Sequence, residues 1–266
     1  MLRARALNPT ASVKVFDPAG SVRIVGWDRD SIVVRGRVPP GQRFFFGGSA
    51  EGVKLGLEDR AGVQDSPPCA LVIYLPRRSH VSVKTASAAI TGSDVSGWFY
   101  SVSGAVHLSG SASSIEAETM GGSIDLDVVA PWVRARTGDG PLLLRGAPED
   151  ADAATIAGVL EIASAAIFRG RFASVTGDIH YAGAPRTGGV FEFSDHSGAV
   201  DLLLPRGAGG DFNLSTITGE IVNDYASVRP AIQGTGPARS LHLELGGNGG
   251  HVTVRTFKGA IRLRRQ

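Results

Sequence analysis

Between residues 161 and 201 six side chains fall close together in the repeat and are of types that carry acid–base or metal chemistry: Glu161, Asp178, His180, Asp195, His196 and Asp201. A carboxylate held beside an imidazole can relay a proton or share a metal ion, provided the fold brings the two within hydrogen-bond reach. Glu161, His180 and Asp201 fall at the same outward position of three successive sequence repeats, so stacking of those repeats predicts that they lie side by side. Earlier copies place His107, Asp125 and Leu143 at this position. Leu143 breaks the column, and no paired-carboxylate spacing recurs elsewhere, so the expectation is cross-strand pairing on a solvated face. No catalytic, cofactor-binding or metal-ligating residue is assigned, and the chain is expected not to be an enzyme.

The elements that would position these residues follow from the repeat itself. A Ser, Thr or Asp, two variable residues, a Gly and an alternating apolar pair recur, as in Thr119-Met120-Gly121-Gly122-Ser123-Ile124-Asp125-Leu126. The Gly position is filled by Ala88, Gly104, Gly122, Gly140, Gly158, Gly177, Gly198, Gly219 and Gly259, in steps of 16, 18, 18, 18, 19, 21, 21 and 40 residues. Three residues earlier stand Thr85, Ser101, Thr119, Thr137, Thr155, Ser174, Asp195, Thr216 and Thr256. Period-two alternation on both sides of the corner means two short strands per copy, each with one buried face. A single copy cannot cover its own apolar face, so copies must stack.

The predicted fold class is therefore all-β, a right-handed single-stranded β-solenoid, because parallel crossovers are right-handed in nearly all cases. Residues 79–266 are expected to make eight to nine turns, continuous with a β cap over 1–78 that covers the open strand edge. The corner Gly is expected to supply a positive φ, and the residue three before it to bond the turn's own backbone. The Ala-rich stretch from Ala151 to Phe168 keeps the 18-residue register and reads as strand, not helix. Residues Asn223 to Ser240 read as an outgrown corner loop.

Composition excludes several classes. The 27 basic and 25 acidic residues are interspersed and leave a net charge of +2, with no long basic stripe for nucleic acid. Cys69 is the only cysteine, so neither an internal disulfide nor a CxxC metal site is possible. Gly246 to Gly250 has the composition of a phosphate loop, but the alternating His251-Val252-Thr253-Val254 that follows makes it a turn. Thr137-Gly138-Asp139-Gly140 lacks the Asp ladder of calcium-binding solenoids. Apolar runs fall far short of the ~20 residues of a membrane helix. No leader pattern is visible at Met1, which predicts a cytoplasmic protein, peripheral to the membrane, or a periplasmic or surface one if a leader has been removed.

Val22-Arg23-Ile24-Val25-Gly26-Trp27-Asp28, the Leu75-Pro76 and Leu204-Pro205 breaks and the recurring Thr-x-x-Gly-x-Ile units resemble a bacterial "putative adhesin" family of β-strand-repeat domains. The resemblance covers about residues 13 to 265. It implies a right-handed β-solenoid of unknown function, without known catalytic residues, in proteins tied to the cell envelope.

Interaction candidates complete the reading. Phe44, Phe45 and Phe46 cannot all be buried on one strand face, so they either pack beneath the cap or anchor a partner. Trp132 and Leu143 point outward by register and could share a contact face. Arg255, Lys258, Arg262, Arg264 and Arg265 crowd the last copy, where they either guard a terminal edge or dock on an acidic partner or anionic lipid headgroups. The expected function is a non-catalytic scaffold. Its partners would be other protein subunits, in a bacterial assembly seated on a membrane; a cell-envelope adhesin is the alternative and a carbohydrate-active enzyme the second. Neither nucleic acid nor a small-molecule substrate is expected.

Overall fold

Alternation of apolar and polar residues yields strands wherever it occurs, the Ala-rich segment included, and no helix forms among the described residues. The computed structural model describes residues 1–57, 67–164, 166–225, 231–232, 236–246 and 248–266. Two compact units, Met1–Pro131 and Trp132–Gln266, share the chain.

The first unit contains β1 (Leu2–Ala6), β2 (Ser12–Asp17), β3 (Gly20–Trp27), β4 (Ser31–Arg37), β5 (Phe44–Gly48), β6 (Gly52–Leu57), β7 (Cys69–Pro76), β8 (His80–Thr85), β9 (Ala89–Ser93), β10 (Ser96–Ser101), β11 (Val106–Ser111), β12 (Ile115–Thr119) and most of β13 (Ile124–Thr137). Two parallel ladders organise it. One runs β6, β2, β8, β10, β12; the other runs β7, β3, β9, β11, β13. Antiparallel strands are added by β5 on β6 and by β4 on β7, with β1 on β4. Asp17 pairs with Thr85, and Ala86 and Ser87 both donate to Pro18 O. Asp17-Pro18-Ala19-Gly20, which reads in the sequence as an ordinary turn, is thus a further copy of the corner.

The second unit holds β14 (Leu142–Thr155), β15 (Leu160–Ile162), β16 (Arg169–Ser174), β17 (Ile179–Ala182), β18 (Val190–Asp195), β19 (Val200–Leu204), β20 (Gly210–Thr216), β21 (Ile221–Asn223), β22 (Ala231–Ile232), β23 (Arg239–Leu245), β24 (Gly250–Thr256) and β25 (Ile261–Arg265). Its ladders run β14, β16, β18, β24, β20 and β14, β15, β17, β19, β25, β21. Copies do not stack in sequence order here. β23 folds back antiparallel on β20, and the chain then enters β24 between β18 and β20, so Thr256 pairs with Asp195 on one side and Thr216 on the other. The expected loop over 223–240 is partly strand, in β22; residues 226–230 and 233–235 lie outside the described residues.

The two ladders bury facing sides. Tyr181 of β17 lies edge-on to Phe191 and Phe193 of β18, with ring centroids 5.7 and 5.5 Å apart. These side chains and Phe172 are at most 2% exposed, and full burial of a side chain of this size contributes on the order of 2 kcal/mol.

The corners explain the repeat. Each hydroxyl residue turns inward: Ser101 and Thr119 accept from the N–H of Gly104 and Gly122 at 2.8 and 3.0 Å. The same hydroxyls donate to the neighbouring copy, at Ala86 O and Val102 O. Turn bonding is therefore as expected, and the hydroxyl also ties one copy to the next. Gly20 adopts the expected positive φ, at 111°, but the other corner glycines differ from expectation. Gly104, Gly122, Gly158, Gly177, Gly198, Gly219 and Gly259 do not adopt positive φ. What excludes a side chain is the stacking: a Cβ built on any of them would lie 1.7 to 2.3 Å from a carbonyl oxygen of the adjacent copy.

Candidate functional site

Glu161, His180 and Asp201 are adjacent across β15, β17 and β19, as the repeat predicts. His180 Nδ1 lies 3.3 Å from Asp201 Oδ2, and Arg262 Nη1 on β25 reaches both oxygens of Asp201 at 3.2 and 3.4 Å. His107 and Asp125 repeat the pairing in the first unit at 3.2 Å. The other three residues do not join the column. Asp178 Oδ1 accepts from Ala199 N at 2.8 Å, Asp195 is buried at its corner and accepts from Gly198 N, and His196 stacks on Phe257 with ring centroids 5.0 Å apart. Among the described residues, no three His, Cys, Asp or Glu side chains are arranged to hold a metal ion.

The contact residues named from sequence scatter. Phe44 packs against buried Leu57, Cys69 and Leu71, Lys54 lies over the Phe45 ring and Arg5 over the Phe46 ring. Leu143 belongs to the β14–β15 pairing, whereas Trp132 borders a depression with residues of β14, β16 and β18, so the two do not share a face. Arg255 lines a second depression with His242 and Thr253, Lys258 N donates to His196 O at 2.8 Å, and Arg264 is exposed. Arg262 is held by Asp201, and Arg265 lies 4.7 Å over the Tyr225 ring. β24 and β25 are flanked by paired strands on both sides. These basic residues therefore do not shield a terminal edge.

A row that sequence reading passed over stands out instead. The residue immediately after each inward hydroxyl or carboxylate points to solvent. In the first unit these are half-buried Pro18, the small Ala86, and Val102 and Met120, 42 and 62% exposed. In the second, Gly138 contributes no side chain, and Ile156, Val175, His196, Phe257 and Ile217 follow in that spatial order, with the four apolar members 43 to 57% exposed. Thr176 N and Ser197 N bond Ile156 O and Val175 O, so neighbours are one strand spacing apart, ~4.8 Å. Scattered exposed apolar side chains mean little, but a contiguous row marks a contact surface. The signal was present in the repeat alignment, where a large apolar residue follows six of the nine aligned hydroxyl or carboxylate residues.

This chain is similar in fold to solved bacterial proteins described as putative adhesins. The structure of one from Parabacteroides merdae matches with a TM-score of 0.55 at 10% identity, over 98% of this chain and 95% of that one. One from Bacteroides fragilis matches with a TM-score of 0.49 at 10% identity over the same shares. A putative cell adhesion protein from Clostridium sporogenes covers 100% and 99% of the two chains, at 9% identity and a TM-score of 0.25. No family model and no curated protein matches the chain significantly.

The groups with displaced acidities sit in the interior. Burial pushes the Asp17 carboxyl up to about 7 and the Asp195 carboxyl up to about 6. It lifts the Cys69 thiol to about 11, helped by the charge of Asp17, and raises the Tyr181 hydroxyl. Asp17 and Asp195 occupy corners that hold Ser or Thr elsewhere, and all four residues are at least nine-tenths enclosed. No helix among the described residues is long and apolar enough to cross a membrane.

Proposed function

We propose that this chain is a non-catalytic binding protein on a right-handed β-solenoid, working at a bacterial cell envelope or surface, where its corner row meets another protein. The row carries the reading. A large exposed apolar residue recurs at one structural position in most copies, which is costly in water unless a partner covers it. The parallel pairing of strands one copy apart supports the solenoid, and the default hand of parallel crossovers supports the right-handed coil. The displaced acidities support the absence of catalysis, because a working acid or base must reach a substrate and these groups are walled into the core. The adhesin description of the Parabacteroides merdae protein lends its role through fold alone.

A subunit of a membrane-seated assembly is the second reading, favoured by Phe257, 43% exposed, beside Lys258 at one corner. An aromatic ring next to a cation suits an anionic headgroup layer.

Site-specific photo-crosslinking in the native bacterium tests the proposal. A benzophenone side chain at Met120 or Ile156 should capture a discrete protein, one placed at exposed Glu51 should not, and the capture should vanish in a Val175→Asp background. Equal labelling at all three positions would refute the row as a binding face. Adducts formed only with lipid would transfer the reading to the membrane surface.

A further inference from the structure

The outer face of β14, β16 and β18 carries a shallow depression of about 340 Å³, with Trp132 at one end and Val190 at the other. Trp132 is 38% and Val190 45% exposed. Between them run two rows of outward side chains. Asp150, Arg169 and Val190 are register partners in one row, and Asp152, Arg171 and Glu192 in the other.

Each carboxylate that lines this depression is paired with a guanidinium, two of them also in the lining and the third, Arg136, beside it. Arg169 Nε lies 3.0 Å from Asp150 Oδ2, Arg171 Nε lies 3.4 Å from Glu192 Oε2, and Arg136 Nη2 reaches both Asp152 oxygens at 3.0 and 3.1 Å. Two guanidiniums in the lining and Arg136 beside it offset the three carboxylates, so neither a polyanion nor a polycation is strongly drawn in. Each planar group is nonetheless held in place by its partner and keeps donors or acceptors turned to solvent. A partly exposed indole beside such groups offers aromatic apolar surface next to paired hydrogen-bonding forks.

We infer that this depression binds a neutral oligosaccharide. A sugar ring presents a C–H face to an aromatic plate and vicinal hydroxyls at its rim, which match the indole and the carboxylate–guanidinium pairs respectively. The two strand steps from β14 to β18 span about 10 Å, and Trp132 extends the depression further, so a short run of rings fits better than one. The site lies within the second unit and does not use the corner row, so it stands or falls separately from the protein-binding reading above.

Calorimetric titration of the full chain with neutral cello-, chito-, manno- and xylo-oligosaccharides, and with an acidic uronate oligomer, tests the inference. Saturable binding of at least one neutral series is expected, weakened by at least about tenfold in Trp132→Ala and in Arg171→Gln. Trp132→Phe should recover most of the affinity, and circular dichroism should show all three variants folded. Absence of binding to every neutral series, binding confined to the uronate, or affinity unchanged in folded Trp132→Ala would each overturn it.

Discussion

Gly121 and Gly122 are chain neighbours, yet the stacking of corners assigns them opposite tolerances. A methyl group on Gly122 would sit 2.2 Å from Gly104 O and 2.9 Å from Thr119 Oγ1, whereas one on Gly121 meets nothing within 4 Å. Neither residue adopts positive φ. To accept Ala at 122 the two corners must separate by most of an ångström. That movement stretches the bonds of Met120 N, Gly121 N and Thr119 Oγ1 to Val102 O, now 3.1, 2.9 and 3.4 Å. Two or three such bonds at ~1 kcal/mol each, with ~1–3 kcal/mol of overpacking strain, give a loss of about 3–6 kcal/mol for Gly122→Ala. Gly121→Ala should be neutral or stabilise by up to ~1 kcal/mol, through the lost freedom of the unfolded chain. Urea unfolding followed by tryptophan fluorescence compares the two directly. Midpoints that coincide, or a Gly122→Ala loss below ~1 kcal/mol, would refute the claim that close approach of copies, not backbone conformation, selects glycine here.

Other consequences are equally open to measurement. Asp17 should make the fold less stable as pH rises: the unfolded chain ionises this carboxyl from about pH 4, while the folded one holds its proton to about 7, so stability falls across that window and levels above it. Asp17→Asn should therefore gain ~2 kcal/mol at pH 8, about half the ceiling that a three-unit shift sets, and little at pH 4; equal gains at both values in pH-dependent denaturation would count against it. Thr119→Val should cost ~1–3 kcal/mol because Gly122 N–H loses its acceptor in a buried corner, which thermal melting would register. Phe193→Ala should cost ~3–5 kcal/mol, since Phe172 lies 5.2 Å and Tyr181 5.5 Å from its ring. Ile156→Asn should leave the melting temperature within a few degrees while reducing partner capture in pull-downs; a large stability loss would mean that the corner row is structural.

Much of this arrangement was legible before any coordinates. Thr85 to Gly259 gave the corners and the register, and that register correctly set His180 beside Asp201 and His107 beside Asp125. It also overruled helix propensity around Ala151, because burial alternating with period two outweighs intrinsic preference. The order of copies was not legible. Thr216-Ile217-Thr218-Gly219 and Thr256-Phe257-Lys258-Gly259 have the same pattern, so each satisfies the same neighbours and nothing local says which stacks first on Gly198. The reason for glycine was hidden for a related cause: positive φ and close approach select the same residue, and only the distance to the next carbonyl separates them. The depression beside Trp132 required knowing which ladder carries Trp132 and which carries Leu143, a question that alternation alone leaves open.

The placement of β24 and β25 between older neighbours reverses the usual expectation for a repeat array, in which the final segment is the most dispensable. Cutting the chain before residue 250 would remove an interior wedge rather than an end piece. It would leave β18 and β20 each with a bare hydrogen-bonding flank and no other described strand in register to fill the gap. During synthesis those flanks stay open until β24 emerges, and over that interval the growing chain presents strand edges with which a neighbour's strands can pair.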